Sequence, residues 1–299
     1  MATAKEAVDL LYVLPEDCIS SVMSFTSPRD ACRSSSVSTS FRSVAESDAV
    51  WGRFLPPQYQ NIISRSADSS SLCFSSKKEL YLRLCDHPLL IDDDRKSFWL
   101  EKRSGKICYM LSPKDLAIAW MDTPKYWTWT SLPEARFPAT LLCVFRLEIR
   151  GKINSCMLSP ATLYTACLVF KVTTGSFGFG FQPIEVAVGV AGSEGHKRSV
   201  YLDVERGWRP HLGIGPIQLP GVGLFKRSRI MYQAPRLREK EDAYGECPKK
   251  RGDGWLEVEL GEFFNGEEDD REVEMSVLEV NGNWKGGLIV QGIEIRPKE

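Results

Sequence analysis

The sequence predicts an α+β protein in two parts: a small helical unit at the N-terminus, then an antiparallel β-sandwich of jelly-roll type. Three observations lead there. Apolar residues recur at helical spacing from about residue 14 to 55, and from Ser97 onward the spacing becomes that of strands. The β runs are separated by glycine- and proline-bearing turns rather than by helices long enough for parallel crossovers, so the sheets are antiparallel. Between the two regimes lies a serine-rich piece, Ser64 to Ser71, which cannot pack a core.

The helical part divides at its capping residues. Pro15 suits a first turn, where its missing N–H has no helical partner, and Cys18, Ile19, Val22 and Met23 form an apolar stripe behind it. Ser27-Pro28-Arg29-Asp30 restarts the chain with a serine cap, a proline at the first helical position and a carboxylate near the positive end of the dipole. Val37, Phe41, Val44 and Ala45 follow at i, i+4, i+7 and i+8, and after Ser47-Asp48 the residues Val50, Trp51, Phe54 and Leu55 resume an apolar face. Helices this short enclose little volume, so apolar surface is expected to stay uncovered for a partner. Residues 1–13 read as a leader, 14–58 as the helical domain, 59–96 as the serine-rich linker with a bridging helix, and 97–299 as the sandwich.

The bridging helix starts at Ser76, whose S-x-x-E spacing to Glu79 is that of a capping box, and it ends at His87-Pro88 before the charged Asp92-Asp93-Asp94 loop. Ser97–Leu100 and Lys106–Leu111 flank Arg103-Ser104-Gly105 and predict a hairpin. Longer strands are expected over 140–149, 161–172, 184–190, 199–204, 254–260, 272–280 and 287–295, with 205–253 as loops. Leu256, Val258 and Leu260 alternate with Glu257 and Glu259, the pattern of a strand with one wet face.

Composition narrows the function classes. A chain of 299 residues with 43% hydrophobic content can bury a sizeable core, and a net charge of -1 supplies no field for nucleic acid or an anionic membrane. The basic runs Lys226-Arg227-Ser228-Arg229 and Lys249-Lys250-Arg251 are interleaved with acidic residues and read as solvated loops. Nine scattered cysteines, none in a C-x-x-C pair, read as free thiols in a reducing compartment. With no secretory layout and no apolar run near 20 residues, the expected location is cytoplasm or nucleus, with neither nucleic acid nor membrane as a partner. His87, His196 and His211 lack a nucleophile or ligand at diagnostic spacing, and the glycine-rich run 175–180 lies between strands. No catalytic residue, metal or cofactor is therefore expected.

Leu14-Pro15-Glu16-Asp17, the Ser27–Asp30 turn, Val37-Ser38 and the closing Trp51 resemble an F-box, the helical motif that docks receptors onto the Skp adaptor of cullin-based ubiquitin ligases. The resemblance implies that Leu14, Pro15, Ile19, Val22, Val37 and Trp51 serve adaptor binding. A second resemblance covers about two thirds of the chain. It rests on Leu111–Trp120, Asp122–Trp129, Phe145–Ile153, Tyr164–Lys171, Gly252–Phe264, Val273–Met275 and Gly292–Pro297, which are similar to the phloem protein 2 family of plant lectins. That family includes lectins of the tobacco-agglutinin type that bind N-acetylglucosamine oligomers and glycan cores, and the arrangement resembles phloem-protein-2-like F-box proteins.

Carried over by motif, the family's sugar-site residues fall on Trp120, Trp127, Glu272 and Glu279. The residue types suit a sugar: aromatic plates take its C–H face, and carboxylates accept from its hydroxyls. The residues leave an alternative open. The tryptophans can equally fill the core, and glutamates seven apart lie on opposite faces of an unbroken strand unless a bulge intervenes. Taken together, the resemblances imply a non-catalytic substrate receptor of a Skp–cullin–F-box ligase, selecting targets through a lectin-like domain with or without a glycan. The alternative is a free-standing lectin whose helices are only a cap.

Overall fold

The computed structural model describes residues 14–67, 74–130, 132, 135, 139–179, 183–192, 195–203, 247–267, 270–280 and 283–298. The helical unit contains α1 (Glu16–Ser24), α2 (Pro28–Ser34), α3 (Thr39–Ala45), α4 (Asp48–Phe54) and α5 (Tyr59–Ser64), and α6 (Lys77–Asp86) connects it to the strands. Serines start four of these helices, at Ser27 and Ser76 as the sequence predicts and at Ser38 and Ser47 besides. Ser27, Ser38 and Ser76 each accept from the N–H three residues on, at 3.1, 3.2 and 3.2 Å, and Ser47 accepts from Ala49 at 3.2 Å. At α6 the reciprocal half of the capping box reaches one residue further back than expected: Glu79 accepts from the N–H and hydroxyl of Ser75.

Two features of this unit differ from the sequence reading. The apolar stripe of α1 is split, with Ile19 and Met23 buried while Cys18 and Val22 face out. Part of the stretch expected to be a linker is packed structure: α5 buries Ile62, Ser66 is buried, and Arg65 grips Asp92 through two hydrogen bonds. Residues 68–71 of the serine-rich piece lie outside the described residues.

The strands are β1 (Leu89–Ile91), β2 (Lys96–Leu100), β3 (Ile107–Leu111), β4 (Ala117–Ile118), β5 (Trp127–Thr130), β6 (Ala139–Val144), β7 (Leu147–Asn154), β8 (Thr162–Phe177), β9 (Ile184–Val190), β10 (His196–Val200), β11 (Lys249–Lys250), β12 (Leu256–Asn265), β13 (Glu272–Glu279) and β14 (Lys285–Pro297). They form two antiparallel sheets. The first runs β1-β2-β3-β14-β8-β12-β11, with β6 also on β14 and β5 on β6; the second runs β10-β9-β13-β7-β4. Leu147, Ile149, Val186, Met275 and Val277 from the second sheet and Leu168, Phe170, Leu288, Val290 and Ile293 from the first are all fully buried in one core. The single strand expected over 140–149 is two: β6 pairs with β14 in one sheet and β7 with β13 in the other, and the chain crosses between sheets at Phe145-Arg146. The sequence reads as one strand because both halves are strand-like and only Phe145 and Arg146 separate them.

The helical unit sits directly on the sandwich. Trp51 is 1% exposed, donates from Nε1 to the Ala45 carbonyl at 2.7 Å, and packs its ring against Phe54 and Tyr81. Tyr81 in turn donates its hydroxyl to the carbonyls of Glu101 or Lys102 in the β2–β3 hairpin, at 3.3 and 3.2 Å. Gly105 in that hairpin has φ +72, and a Cβ there would lie 3.1 Å from the Phe54 carbonyl, so this close approach favours glycine. The hairpin itself pairs as expected, Phe98 against Tyr109 and Leu100 against Ile107.

Candidate functional site

Two surfaces stand out, one on each part. On the helical unit, Leu14, Val22, Phe25 and Val37 are exposed at 42, 67, 79 and 68%. Cys18, Val22 and Phe25 share one stripe of α1, beside the buried stripe of Ile19 and Met23. Pro15 caps the same helix at its exposed start. Of the residues expected to serve the adaptor, Leu14, Pro15, Val22 and Val37 are therefore at the surface. Ile19 and Trp51 are interior residues that hold the helices together. Phe25, which the sequence reading omits, is the most exposed of the set, with the Arg53 guanidinium 5.6 Å from its ring centre.

The second surface lies at one end of the sandwich. Trp120, Tyr126, Trp284 and Phe145 form a chain of rings, with centroids 5.6, 6.5 and 5.6 Å apart in that order. Trp120, Phe145 and Trp284 are each roughly half exposed, and Tyr126 is partly covered between the two tryptophans. Local structure explains why the rings face outward. Trp120 has φ +58, a left-handed conformation that costs a non-glycine residue about 1–2 kcal/mol. Neighbouring contacts hold it there: Ala119 donates its N–H to Glu148 at 3.0 Å, Thr123 donates to the Trp120 carbonyl at 3.0 Å, and Trp127 Nε1 donates to the Ala119 carbonyl at 3.0 Å. Trp127 itself is only 4% exposed. It props the Trp120 turn from below instead of joining the ring surface.

The two glutamates separate. β13 pairs with β7 residue for residue from Glu272 to Glu279, without a bulge, and its residues alternate between outer and inner faces. Glu272 lies on the outer face, in an exposed pair with Lys152 at 2.8 Å, whereas Glu279 points inward. Seven residues of strand put them about 23 Å apart. Glu279 is next to the aromatic surface and Glu272 is at the far end of the sheet. Glu279 is paired with Lys285, both side chains almost wholly buried, and Lys285 also donates to the carbonyls of Asn283 at 2.6 Å and Phe145 at 3.4 Å. Burial pulls the Lys285 ammonium down to about 8.

Tyr126, Phe145 and Trp284 are the residues of this surface that the sequence reading misses. Tyr126 and Phe145 sit inside the quoted family blocks without a role, and Trp284 lies outside them. Among the described residues there is no cluster of three or more His, Cys, Asp or Glu able to hold a metal, and no helix is long and apolar enough to cross a membrane. His211 and the 226–229 basic run lie outside the described residues. Arg251, from the other basic run, is folded into a network with Glu257 and Glu294 at 2.8 and 3.0 Å.

Residues 106–297 match the family described as Phloem protein 2, and residues 11–53 match the F-box domain. F-box protein At2g02240 of Arabidopsis thaliana is 49% identical over 288 residues, covering 95% of this chain and 79% of its own length. From the same plant, F-box protein PP2-B1 is 45% identical over 307 residues (95% and 89%), and F-box protein PP2-B10 is 46% identical over 290 (95% and 92%). The chain belongs to the phloem protein 2 family and carries an F-box. In this F-box protein the phloem protein 2 match spans β3 to β14 and the whole aromatic surface, while the F-box match spans α1 through most of α4. Among solved structures, the galactotriose complex of TmCBM61 covers 62% of this chain and 84% of its own at 10% identity and a TM-score of 0.24, too loose a superposition to carry any argument.

Proposed function

We propose that this F-box protein is the non-catalytic recognition subunit of a Skp–cullin–F-box ubiquitin ligase, with residues 14–58 docking the adaptor, 59–96 connecting, and 97–299 selecting the target. The observation that carries the reading is the split of α1: one apolar stripe builds the helical core, and a second, with Val22 and Phe25, is left uncovered. Uncovered apolar surface of this kind is the usual mark of a protein partner. The F-box supplies the chemistry of that partner, a Skp adaptor and through it a cullin. Catalysis is then a matter of effective concentration, with target lysines held near a charged ubiquitin-conjugating enzyme.

Target selection is assigned to the aromatic surface, with N-acetylglucosamine-containing glycans on proteins as the ligand class. Four rings in series offer flat apolar plates to the C–H faces of successive sugar residues. Trp120 and Trp127 would then contribute as plate and prop respectively. Glu272 is too remote from the rings to share one short ligand with them. The test is a glycan array, and a column of immobilised N-acetylglucosamine oligomer, probed with the full chain co-expressed with a Skp adaptor. Retention of the complex, competed by free sugar, supports a glycan-directed receptor. A folded, adaptor-bound chain that no glycan retains moves recognition to a protein surface. Glycan retention without adaptor binding would instead favour a free-standing lectin.

A further inference from the structure

Resting on that reading of the aromatic surface, we propose that Glu279 and Lys285 are positioning residues: the buried pair holds the Phe145 and Trp284 rings in place and does not touch the ligand. The topology puts the pair under the point where the chain changes sheets. Glu279 lies opposite Leu147 in the second sheet, and Lys285 lies opposite Val144 in the first. Between Val144 and Leu147 are only Phe145 and Arg146, so the pair bridges the two sheets beneath the crossing that carries Phe145. Lys285 extends the tether to both exposed rings. It donates to the Phe145 carbonyl and to that of Asn283, the residue before Trp284. The Trp284 backbone is confined from the other side by Gly178, where a Cβ would stand 2.3 Å from the Trp284 carbonyl oxygen.

Burial separates this role from direct contact. The Glu279 and Lys285 side chains are 2% and 1% exposed, whereas the rings above them are exposed at 44 and 51%. A ligand on the rings meets Phe145 and Trp284 and leaves the carboxylate covered. A carboxylate in this position acts by keeping the ammonium buried, and the ammonium acts on two carbonyls in the turns. Rings held by short turns need such support if the surface is to be formed before a ligand arrives.

The experiment uses the full chain with its tryptophans replaced by 5-fluorotryptophan, comparing wild type with Glu279→Gln, Lys285→Met and the double variant Glu279→Leu/Lys285→Met. The double variant removes both charges together, so it remains folded if either single variant fails. The fluorine resonance of Trp284, assigned with Trp284→Phe, is expected to move or broaden in every folded variant, while that of the buried Trp51 stays where it is. An unmoved Trp284 resonance in folded variants overturns the proposal. Chitotriose binding is the second readout. Each single variant is expected to weaken it about tenfold, and the double no further than the weaker single, because one device is removed either way. Loss of binding in Glu279→Gln with wild-type affinity in Lys285→Met would mean direct contact by Glu279 and also overturns it. If wild type does not bind chitotriose and the Trp284 resonance still responds, the glycan reading fails and the positioning role stands.

Discussion

Trp127 and Trp284 are both candidate sugar plates by residue type, and truncating each to alanine separates the two roles that the structure gives them. Trp127 is 4% exposed and donates to the Ala119 carbonyl, so Trp127→Ala deletes a buried ring and leaves that carbonyl without its partner. Large-to-small changes of this kind cost about 3–5 kcal/mol. For a unit of this size each kcal/mol moves the melting temperature by about 2–4 °C, so a fall of about 6–20 °C is expected. Trp284 is 51% exposed, and Trp284→Ala is expected to cost under about 1 kcal/mol, a shift of about 2–4 °C at most. Its effect belongs in ligand retention instead. Thermal unfolding by fluorescence and retention on an immobilised N-acetylglucosamine oligomer, run on the same samples, give both axes. A Trp127→Ala protein that melts with wild type, or a Trp284→Ala protein that melts far below it, would refute the assignment of prop and plate.

Further expectations concern the frame around that surface. The hydrogen bond from Arg296, with the charges of Arg296 and Arg251, holds the Glu257 carboxyl below its ordinary value of 4.5 against the opposing effect of burial. A carboxyl depressed in the folded state contributes stability that is complete above its ordinary value and is lost as pH falls through the depressed one. Glu257→Gln should therefore lower the melting temperature at neutral pH and flatten its fall on acidification; an unchanged acid limb would count against the network. Gly178→Ala forces a Cβ toward the Trp284 carbonyl at φ +88 and should cost about 2 kcal/mol, while moving the Trp284 resonance, read by thermal unfolding and fluorine NMR. Ser76→Ala removes the cap of α6 and should cost about 1 kcal/mol by thermal unfolding, with no loss of glycan retention.

Much of the frame was legible because it depends on local signals. The serine caps at Ser27 and Ser76 and the Ser97–Leu111 hairpin announce themselves within a few residues. The first half of β12 shows the limit of that rule in miniature: Leu256, Val258 and Leu260 turn inward as their alternation predicts, but pairing of Glu257 with Arg296 depends on where a distant segment arrives. The candidate site follows the same division. The unbroken pairing of β13 bears out the parity argument that Glu272 and Glu279 face opposite ways. Which tryptophan is buried could not be read, because Trp127 and Trp129 share a strand face by parity, yet Trp127 is covered and Trp129 is 47% exposed. Trp127 is held under the Trp120 turn, whose left-handed residue is a tryptophan, which gives no sign of that conformation. Phe145 was hidden at the end of an apolar run, at the point where the chain leaves one sheet for the other. On α1, period alone could not tell the buried stripe from the exposed one, since Ile19 and Val22 are equally apolar.

The most direct test of the account is binding of a purified Skp adaptor to the immobilised full chain, compared with Val22→Asp and with Ile19→Asp. The account predicts tight retention by wild type. It predicts loss of retention in Val22→Asp with an unchanged melting profile, because Val22 is 67% exposed, and unfolding of the helical unit in Ile19→Asp, because a charge there enters the core. Full adaptor binding by Val22→Asp, or no binding by a well-folded wild type, would contradict the claim that the uncovered stripe of α1 is a docking surface.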